Sequence, residues 1–423
     1  MFLEFKDIAK QKAQVFKQLY FKKHPDVFTK MYNFTRANTA RAFGYYPYFQ
    51  KIEVSDGTEV TIDGQKKIML GSNNYLGLTN HPEVIEAGVD ALRKYGSGLT
   101  GSRFLNGNIV LHEILEAKLA DFVGKENALV FSTGFNVNLG VISTTVEPSD
   151  LIFIDAFNHA SIVDGSRFSK ARIVKFKHND MADLEKKLAN AKPDKARFIT
   201  ADGIFSMEGD VLNLPDLVRL AKKYEARIMI DEAHSVGVMG PNGEGVVGHY
   251  NLADKVDLIM GTFSKSLAGV GGFIAGNGAV IDYLKHHTRA MIFTAALPAS
   301  NVATVMKALE IIKNEPERRK QLWDNTDYMT TNFRQIGYDT GESTTPIIPL
   351  IIGDEKKTFL VWKDLMREGV YTNPVITPAV PRHRSLLRTS YMATHTREQL
   401  DFCLDKFLKI GKKHGIINGA TNG

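Results

Sequence analysis

Cysteine is all but missing, with Cys403 the sole example in 423 residues. That excludes an intrachain disulfide framework and any thiolate metal site, and it fits a reducing cytoplasm. Long apolar runs are missing too: nothing approaches the ~18 apolar residues of a membrane-spanning helix. The nearest, residues 346–352, reads as a buried strand. Residues 1–7 carry charge where a secretory signal needs an apolar core, so export is not expected. No Gly-Lys-Ser or Gly-Lys-Thr occurs, which removes the phosphate-loop NTPases and with them the helicase reading of Asp231-Glu232-Ala233-His234. A G-x-S-x-G nucleophile elbow is absent as well. The net charge of +6 comes from lysines spread along the chain with no Arg-rich tract, so nucleic acid is not an expected partner. A phosphate-bearing thioester of coenzyme A suits that charge better.

What is present is a large, ordinary globular chain, 43% hydrophobic and 24% charged, with room for more than one domain. Its organising stretch is Gly261-Thr262-Phe263-Ser264-Lys265-Ser266, which follows the apolar run 256–260 and precedes a glycine-rich segment. A lysine is thus delivered at a strand end among small residues. Held in a dry pocket, such an amine loses its proton and becomes a nucleophile that forms Schiff bases with carbonyl compounds, pyridoxal phosphate being the commonest carbonyl cofactor. Upstream, the apolar run 227–230 ends in Asp231, with His234 three positions on. A carboxylate there can keep the ring nitrogen of such a cofactor protonated. No metal site is expected from Asp231, Glu232 and His234: adjacent strand residues face opposite sides, and no His-x3-His pairing supports them.

Strands expected at about 151–155, 172–176, 197–201, 227–231 and 256–261 alternate with helices at about 160–170, 180–191 and 215–224. This pattern predicts a mostly parallel sheet covered on both faces, with chemistry at the carboxyl ends of its strands. Asp155, His159, Asp202, Ser206, Asp231, His234, Thr262 and Lys265 all fall there. Ser132-Thr133-Gly134-Phe135 turns the strand 127–131 into a helix, whose free N–H groups could hold a phosphate. The string Gly96-Ser97-Gly98-Leu99-Thr100-Gly101 spells G-x-G-x-x-G but follows a helix, so a dinucleotide site is not expected. Residues 1 to about 45 form a basic, roughly helical arm with Phe5, Ile8, Phe16 and Leu19 among lysines; it packs on a subunit or lies on an anionic membrane surface. Beyond Thr294 the pattern shifts to helices at about 300–313, 318–335 and 356–368, a strand near 346–352 and a last helix from about 396. The boundaries read as 1–60 (arm and small hairpin), 61–295 (large domain) and 296–423 (smaller α+β domain). Arg388 sits in a short apolar strand and needs an anionic partner, either a structural Asp or Glu or a substrate carboxylate.

With Lys265, Asp231, His234, His159 and Ser132-Thr133-Gly134-Phe135 in this order and spacing, the chain resembles the α-oxoamine synthases, a resemblance that runs from about Gly71 to the last helix. The strings 101–107, 202–210 and 261–266 carry it most specifically. The resemblance implies a fold-type I pyridoxal-phosphate-dependent transferase with a mostly parallel seven-stranded sheet, working as a homodimer with shared active sites. It implies decarboxylative condensation of L-serine with a long-chain acyl-CoA, palmitoyl-CoA, to 3-oxosphinganine at the start of sphingolipid synthesis. Relatives use glycine, alanine or cysteate with other thioesters, and a non-catalytic partner subunit also occurs in the family. By position, the resemblance implies that Lys265 carries the cofactor as a Schiff base and moves the Cα proton, that Asp231 pairs with the ring nitrogen, and that His159 stacks on the ring and helps hold the serine carboxylate. His234 would bond the ring oxygen, while Gly134, Phe135, Thr262 and Ser264 would hold the phosphate with Thr294 of the other subunit. Ser206 is a further cofactor-binding candidate. Arg388 would receive the substrate carboxylate, with Asn74, Ser102 and Arg103 as further substrate-binding candidates. A cytoplasmic location, with the arm touching the inner face of the membrane, completes the expectation. The chain departs from the family at Pro298-Ala299, where two prolines are common.

Overall fold

The computed structural model describes residues 26–417. The apolar and basic residues of the arm from Phe5 to Lys23 lie outside the described residues. Its continuation makes two short helices, Thr29–Tyr32 and Arg36–Ala42, that bury no side chain. The turn pairs Asp56-Gly57 and Asp63-Gly64 then fold a hairpin of β1 (Val54–Asp56), β2 (Glu59–Ile62) and β3 (Gln65–Met69).

The main sheet has seven strands: β4 (Asn127–Phe131), β5 (Leu151–Asp155), β6 (Arg172–Phe176), β7 (Arg197–Asp202), β8 (Arg227–Asp231), β9 (Leu258–Thr262) and β10 (Gly272–Gly276). Their spatial order is β4-β10-β9-β8-β7-β5-β6. β10 is antiparallel to both neighbours, and all other pairs are parallel. Successive side chains on a strand face opposite sides, and both sides are dry. Ile152 and Ile154 of β5 pack with Phe198, Met229 and Met260 in one core, while Phe153 joins Ile199, Ile228 and Ile259 in the other. The crossover helices start where small polar side chains cap them: Thr133, Asp180 and Asn213 accept from the backbone N–H three residues on.

From β5 the chain steps outward to β6, then returns to the other side of β5 for β7 and continues to β8 and β9. The reversal opens a crevice outside the carboxyl ends of β5 and β7. β10 comes from the glycine-rich segment behind Lys265, which was not among the expected strands. Its glycines answer a packing demand, because a Cβ on Gly261 would lie 2.3 Å from the Phe273 ring, and one on Gly272 would lie 2.8 Å from the Gly261 carbonyl.

The C-terminal region adds helices Ala299–Asn314, Pro316–Gln335, Glu355–Arg367 and Arg397–Lys413, with β11 (Ile347–Gly353), β12 (Val370–Tyr371), β13 (Asn373–Val375) and β14 (Ser385–Ser390). β11, β14 and β13 form one antiparallel sheet. β12 pairs with β3, so the hairpin belongs to the sheet that the C-terminal region completes. The boundary expected at 60/61 therefore cuts through β2 and separates strands that hydrogen-bond to each other.

Beside the future site, helix Val110–Phe122 is tied to β4 by a buried ion pair between Arg103 and Glu116, whose carboxylate also accepts from Val130 N at 2.7 Å. Removing one member of such a pair strands the other charge in a dry place, at a cost of ~3–5 kcal/mol. Glu116→Ala should lose that much stability in urea unfolding; a loss below about 1 kcal/mol, the usual value of an exposed pair, would contradict the burial argument.

Candidate active site

The carboxyl ends of the central strands gather the expected residues. Thr133, Gly134, Phe135, His159, Ser206, Asp231, His234, Thr262, Ser264 and Lys265 all line one cavity of about 320 Å³. Size alone does not select it: a cavity of about 510 Å³ lies at the opposite strand ends, around Leu151, Arg172 and Lys187, where no comparable constellation converges.

Asp202 and Asp231 end adjacent strands in direct register. Two carboxylates this close and this buried resist being charged together. The hydrogen bonds decide between them: Asp231 accepts from Asn138 Nδ2 at 2.6 Å and from Ala233 N at 2.9 Å. Asp202 accepts the His159 N–H at 2.8 Å, and burial together with the charge of Asp231 pushes its pKa well up. The donors thus favour a charge on Asp231, while Asp202 is pushed toward the neutral acid.

Lys265 opens on this cavity beside Asp231, and its side-chain amine makes no hydrogen bond or ion pair among the described residues. Although part of its surface reaches the cavity, burial of the amine outweighs the attraction of Asp231 and brings its pKa down to about 7. His159 caps helix Ala160–Phe168, with Nδ1 2.7 Å from Ser161 Oγ and accepting from Ser161 N. That leaves Nε2 to carry the proton of the neutral ring. His234 Nδ1 is 2.7 Å from the Tyr75 hydroxyl, and burial, reinforced by Lys265 and Arg388, holds the imidazole neutral.

The residues also make an anion cradle. At the start of helix Gly134–Thr145 the Thr133 hydroxyl caps Asn136 N, while the N–H groups of Gly134 and Phe135 have no partner among the described residues. Facing them, the Thr262 hydroxyl lies 3.0 Å from that of Ser264. A Cβ on Gly134 would come within 2.6 Å of Thr262 Oγ1, so glycine is what lets helix start and hydroxyls share one spot. Free donors at a helix start, an amine of low pKa and a carboxylate on one wall fit a phosphate-bearing aldehyde with a basic ring nitrogen.

Arg388 is 4% exposed, yet no Asp or Glu pairs with it among the described residues. Its guanidinium donates to Ser206 O at 2.6 Å, Ser390 Oγ at 2.7 Å and Asn73 Oδ1 at 2.9 Å. Three neutral acceptors take three of its five N–H hydrogens and leave its charge uncompensated, which suits an incoming carboxylate. It stands behind the cavity wall, close enough for its charge to weigh on Lys265 and His234.

Four expected residues are placed elsewhere. Arg103 spends its donors on Glu116, Asn108 and the Val130 carbonyl and faces the core. Asn74 is turned into its own loop, bonding Thr79 at 2.8 Å; its neighbour Asn73 is the one that meets Arg388. Ser102 and Thr294 do not line the cavity of their own chain. Asn138, Ser161, Tyr75 and Asn73 join the site without having been among the expected residues. Asn138 was within reach, since it lies four positions after Gly134 and so on the same helix face.

The fold and this cradle define a class. Residues 65–407 match the model of the aminotransferase class I and II family, and the chain belongs to that family. Among its relatives, a serine palmitoyltransferase of Bacteroides thetaiotaomicron is 53% identical over 89% of this chain and 95% of its own. One of Sphingobacterium spiritivorum is 50% identical over 91% of this chain and 96% of its own. A solved serine palmitoyltransferase from S. paucimobilis, with a bound PLP-myriocin adduct, superimposes with a TM-score of 0.90 at 37% identity, covering 93% of this chain and all of the other.

The amine of Lys265 should react with an amine-selective label with a midpoint near pH 7 in the cofactor-free protein. A midpoint near the ~10.4 of an exposed lysine would contradict the cavity assignment.

Proposed function

We propose that the protein condenses L-serine with palmitoyl-CoA, releasing carbon dioxide and coenzyme A and forming 3-oxosphinganine, with pyridoxal 5'-phosphate as its cofactor. The observation that carries this is the convergence of a low-pKa lysine, an aspartate that accepts two N–H hydrogen bonds and a helix-start anion cradle in one cavity, in a chain about half identical to serine palmitoyltransferases.

When bound, the cofactor supplies a conjugated electron sink for the bonds at the amino-acid Cα. The chain's residues do the rest. The N–H groups of Gly134 and Phe135 and the hydroxyls of Thr262 and Ser264 hold the phosphate. Asp231, its carboxylate held by Asn138 and Ala233 N, would pair with the ring nitrogen and keep it protonated. His234, with Nδ1 held by the Tyr75 hydroxyl, would have its Nε2 free for the ring oxygen. Arg388 draws the serine carboxylate, and Lys265, with a pKa brought down to about 7, takes the Cα proton. In the condensation the serine Cα would bond to the acyl carbon as the thioester C–S bond breaks and the thiolate of coenzyme A leaves; the bond from Cα to the carboxyl carbon would then break to release carbon dioxide, and the electron pair left on Cα would take back the proton held by Lys265.

The working unit in this proposal is a homodimer that brings Thr294 of the second copy to the phosphate. Phe293 beside it is 72% exposed, and Leu105 is 79% exposed, apolar surface that a second copy would cover. Peripheral membrane contact is proposed for the arm, whose described part exposes Val27, Met31, Phe34 and Phe43 among Lys30, Arg36 and Arg41. No helix among the described residues is long and apolar enough to cross a membrane.

Offered a panel of amino acids and acyl-CoAs, the purified protein should form the long-chain ketone of serine, identified by mass spectrometry. Turnover of glycine or alanine with none of serine would overturn the substrate assignment. Sedimentation at the mass of one chain would contradict the dimer, and indifference to anionic vesicles at low salt would contradict membrane contact.

A further inference from the structure

Just past β6, the fold lodges His178 between two carboxylates from different elements. Its Nδ1 lies 3.0 Å from Asp155 Oδ1 at the end of β5, and its Nε2 lies 3.1 Å from Asp210 Oδ2. The ring is stacked on Phe157 at 4.3 Å and meets the Phe205 ring edge-on at 4.4 Å. An imidazole that faces an acceptor at each nitrogen must carry both protons, so this arrangement calls for the cation.

Asp210 belongs to a small hairpin. Leu212 N bonds Gly203 O at 2.9 Å, Phe205 N bonds Asp210 O at 3.1 Å, and Gly209 N closes the tip on Phe205 O at 2.9 Å. The tip carries Ser206, whose carbonyl holds Arg388 Nε, and the base carries Asp202, which holds His159 N–H. Two residues of the active site thus take their aim from one hairpin. From the C-terminal side the tip is held by Thr345 Oγ1 on Gly209 O at 2.8 Å. From the sheet side it is held by His178 and by Asn179, whose amide donates to Val211 O at 2.9 Å while its backbone N–H donates to Asp155 at 2.7 Å.

We propose that His178, as an imidazolium, is a positioning residue for amino-acid recognition: by clamping Asp210 to Asp155 it fixes the hairpin that aims Arg388 at the substrate carboxylate. This rests on the reading of Arg388 as the carboxylate receptor. The charged groups around His178 are Asp155 and Asp210 in contact, with Glu208, Glu342 and Arg384 lining the adjoining cavity of about 510 Å³. Burial would drive the proton off, but hydrogen bonds and charges of Asp155 and Asp210 outweigh it and push the pKa up to about 10. A folded pKa above the unfolded value of ~6.5 means that the stabilisation is complete below about 6.5 and is lost as pH rises through about 10. The clamp therefore holds across the neutral range.

The test uses His178→Gln and Asp210→Asn holoenzymes, with the change in cofactor absorbance as the reading of amine binding. L-serine is compared with ethanolamine, which lacks the carboxylate. Serine affinity should fall about tenfold or more in both variants, the scale of one charge-assisted hydrogen bond, while ethanolamine affinity stays within about twofold. Equal weakening of both ligands, or unchanged serine affinity, would overturn the proposal. If the wild type does not respond to serine, the functional reading has failed, and the same comparison is run with the amino acid it does bind. Independently of the cofactor, labelled-histidine NMR of the apoprotein should show one ring protonated up to about pH 10 and lost in His178→Gln. Titration of that ring near ~6.5 would contradict the clamp.

Discussion

Two carboxylates at the ends of neighbouring strands set the character of this protein. Asp202 and Asp231 face one another because β7 and β8 run parallel in register, and their environments sort one proton between them. Asp231, which receives two hydrogen bonds from helix Gly134–Thr145 and from its own turn, keeps the charge; Asp202 is pushed toward the neutral acid. A single anion then sits beside a lysine that burial has made a usable base. Had both acids been charged, the attraction would have held the proton on Lys265. Had neither been, a protonated ring nitrogen would have no partner.

The architecture supplies this by topology more than by any local motif. The crevice forms where winding reverses between β5 and β7, and each strand bordering it ends in a polar residue. β4 contributes differently, by delivering a helix start with unpaired N–H groups. The C-terminal sheet closes the site from behind with Arg388 on β14, a cation satisfied by neutral acceptors. Around this rigid centre the surface is apolar where a second copy is proposed and basic and apolar along the arm.

Much of this is legible in the residues. The central strands and their helices follow from apolar runs bounded by capping side chains, and the observed limits fall within a few residues of the expected ones. Lys265, Asp231, His159, His234 and Thr262 were readable because strand ends are where polar residues stand out against apolar runs. What escaped needed three dimensions. Arg103 sits in a loop that reads as a binding loop, and only the fold shows Glu116 thirteen positions on reaching back to it. Asn73 and Asn74 are adjacent amides, and nothing in the chain says which turns toward Arg388. β10 lies in a glycine-rich segment without an apolar run, because Gly272 must approach the Gly261 carbonyl of β9 and Gly261 must make room for the Phe273 ring. The pairing of β12 with β3 joins segments about 300 residues apart, a contact that no local pattern encodes.

The most direct measurement of the central claim is the nitrogen-15 resonance of ring-labelled pyridoxal phosphate bound to the wild-type protein and to Asp231→Asn. The account predicts a protonated ring nitrogen in the wild type throughout the neutral range and its loss in the variant. An unprotonated ring nitrogen in the wild type, or a resonance indifferent to the substitution, would contradict it.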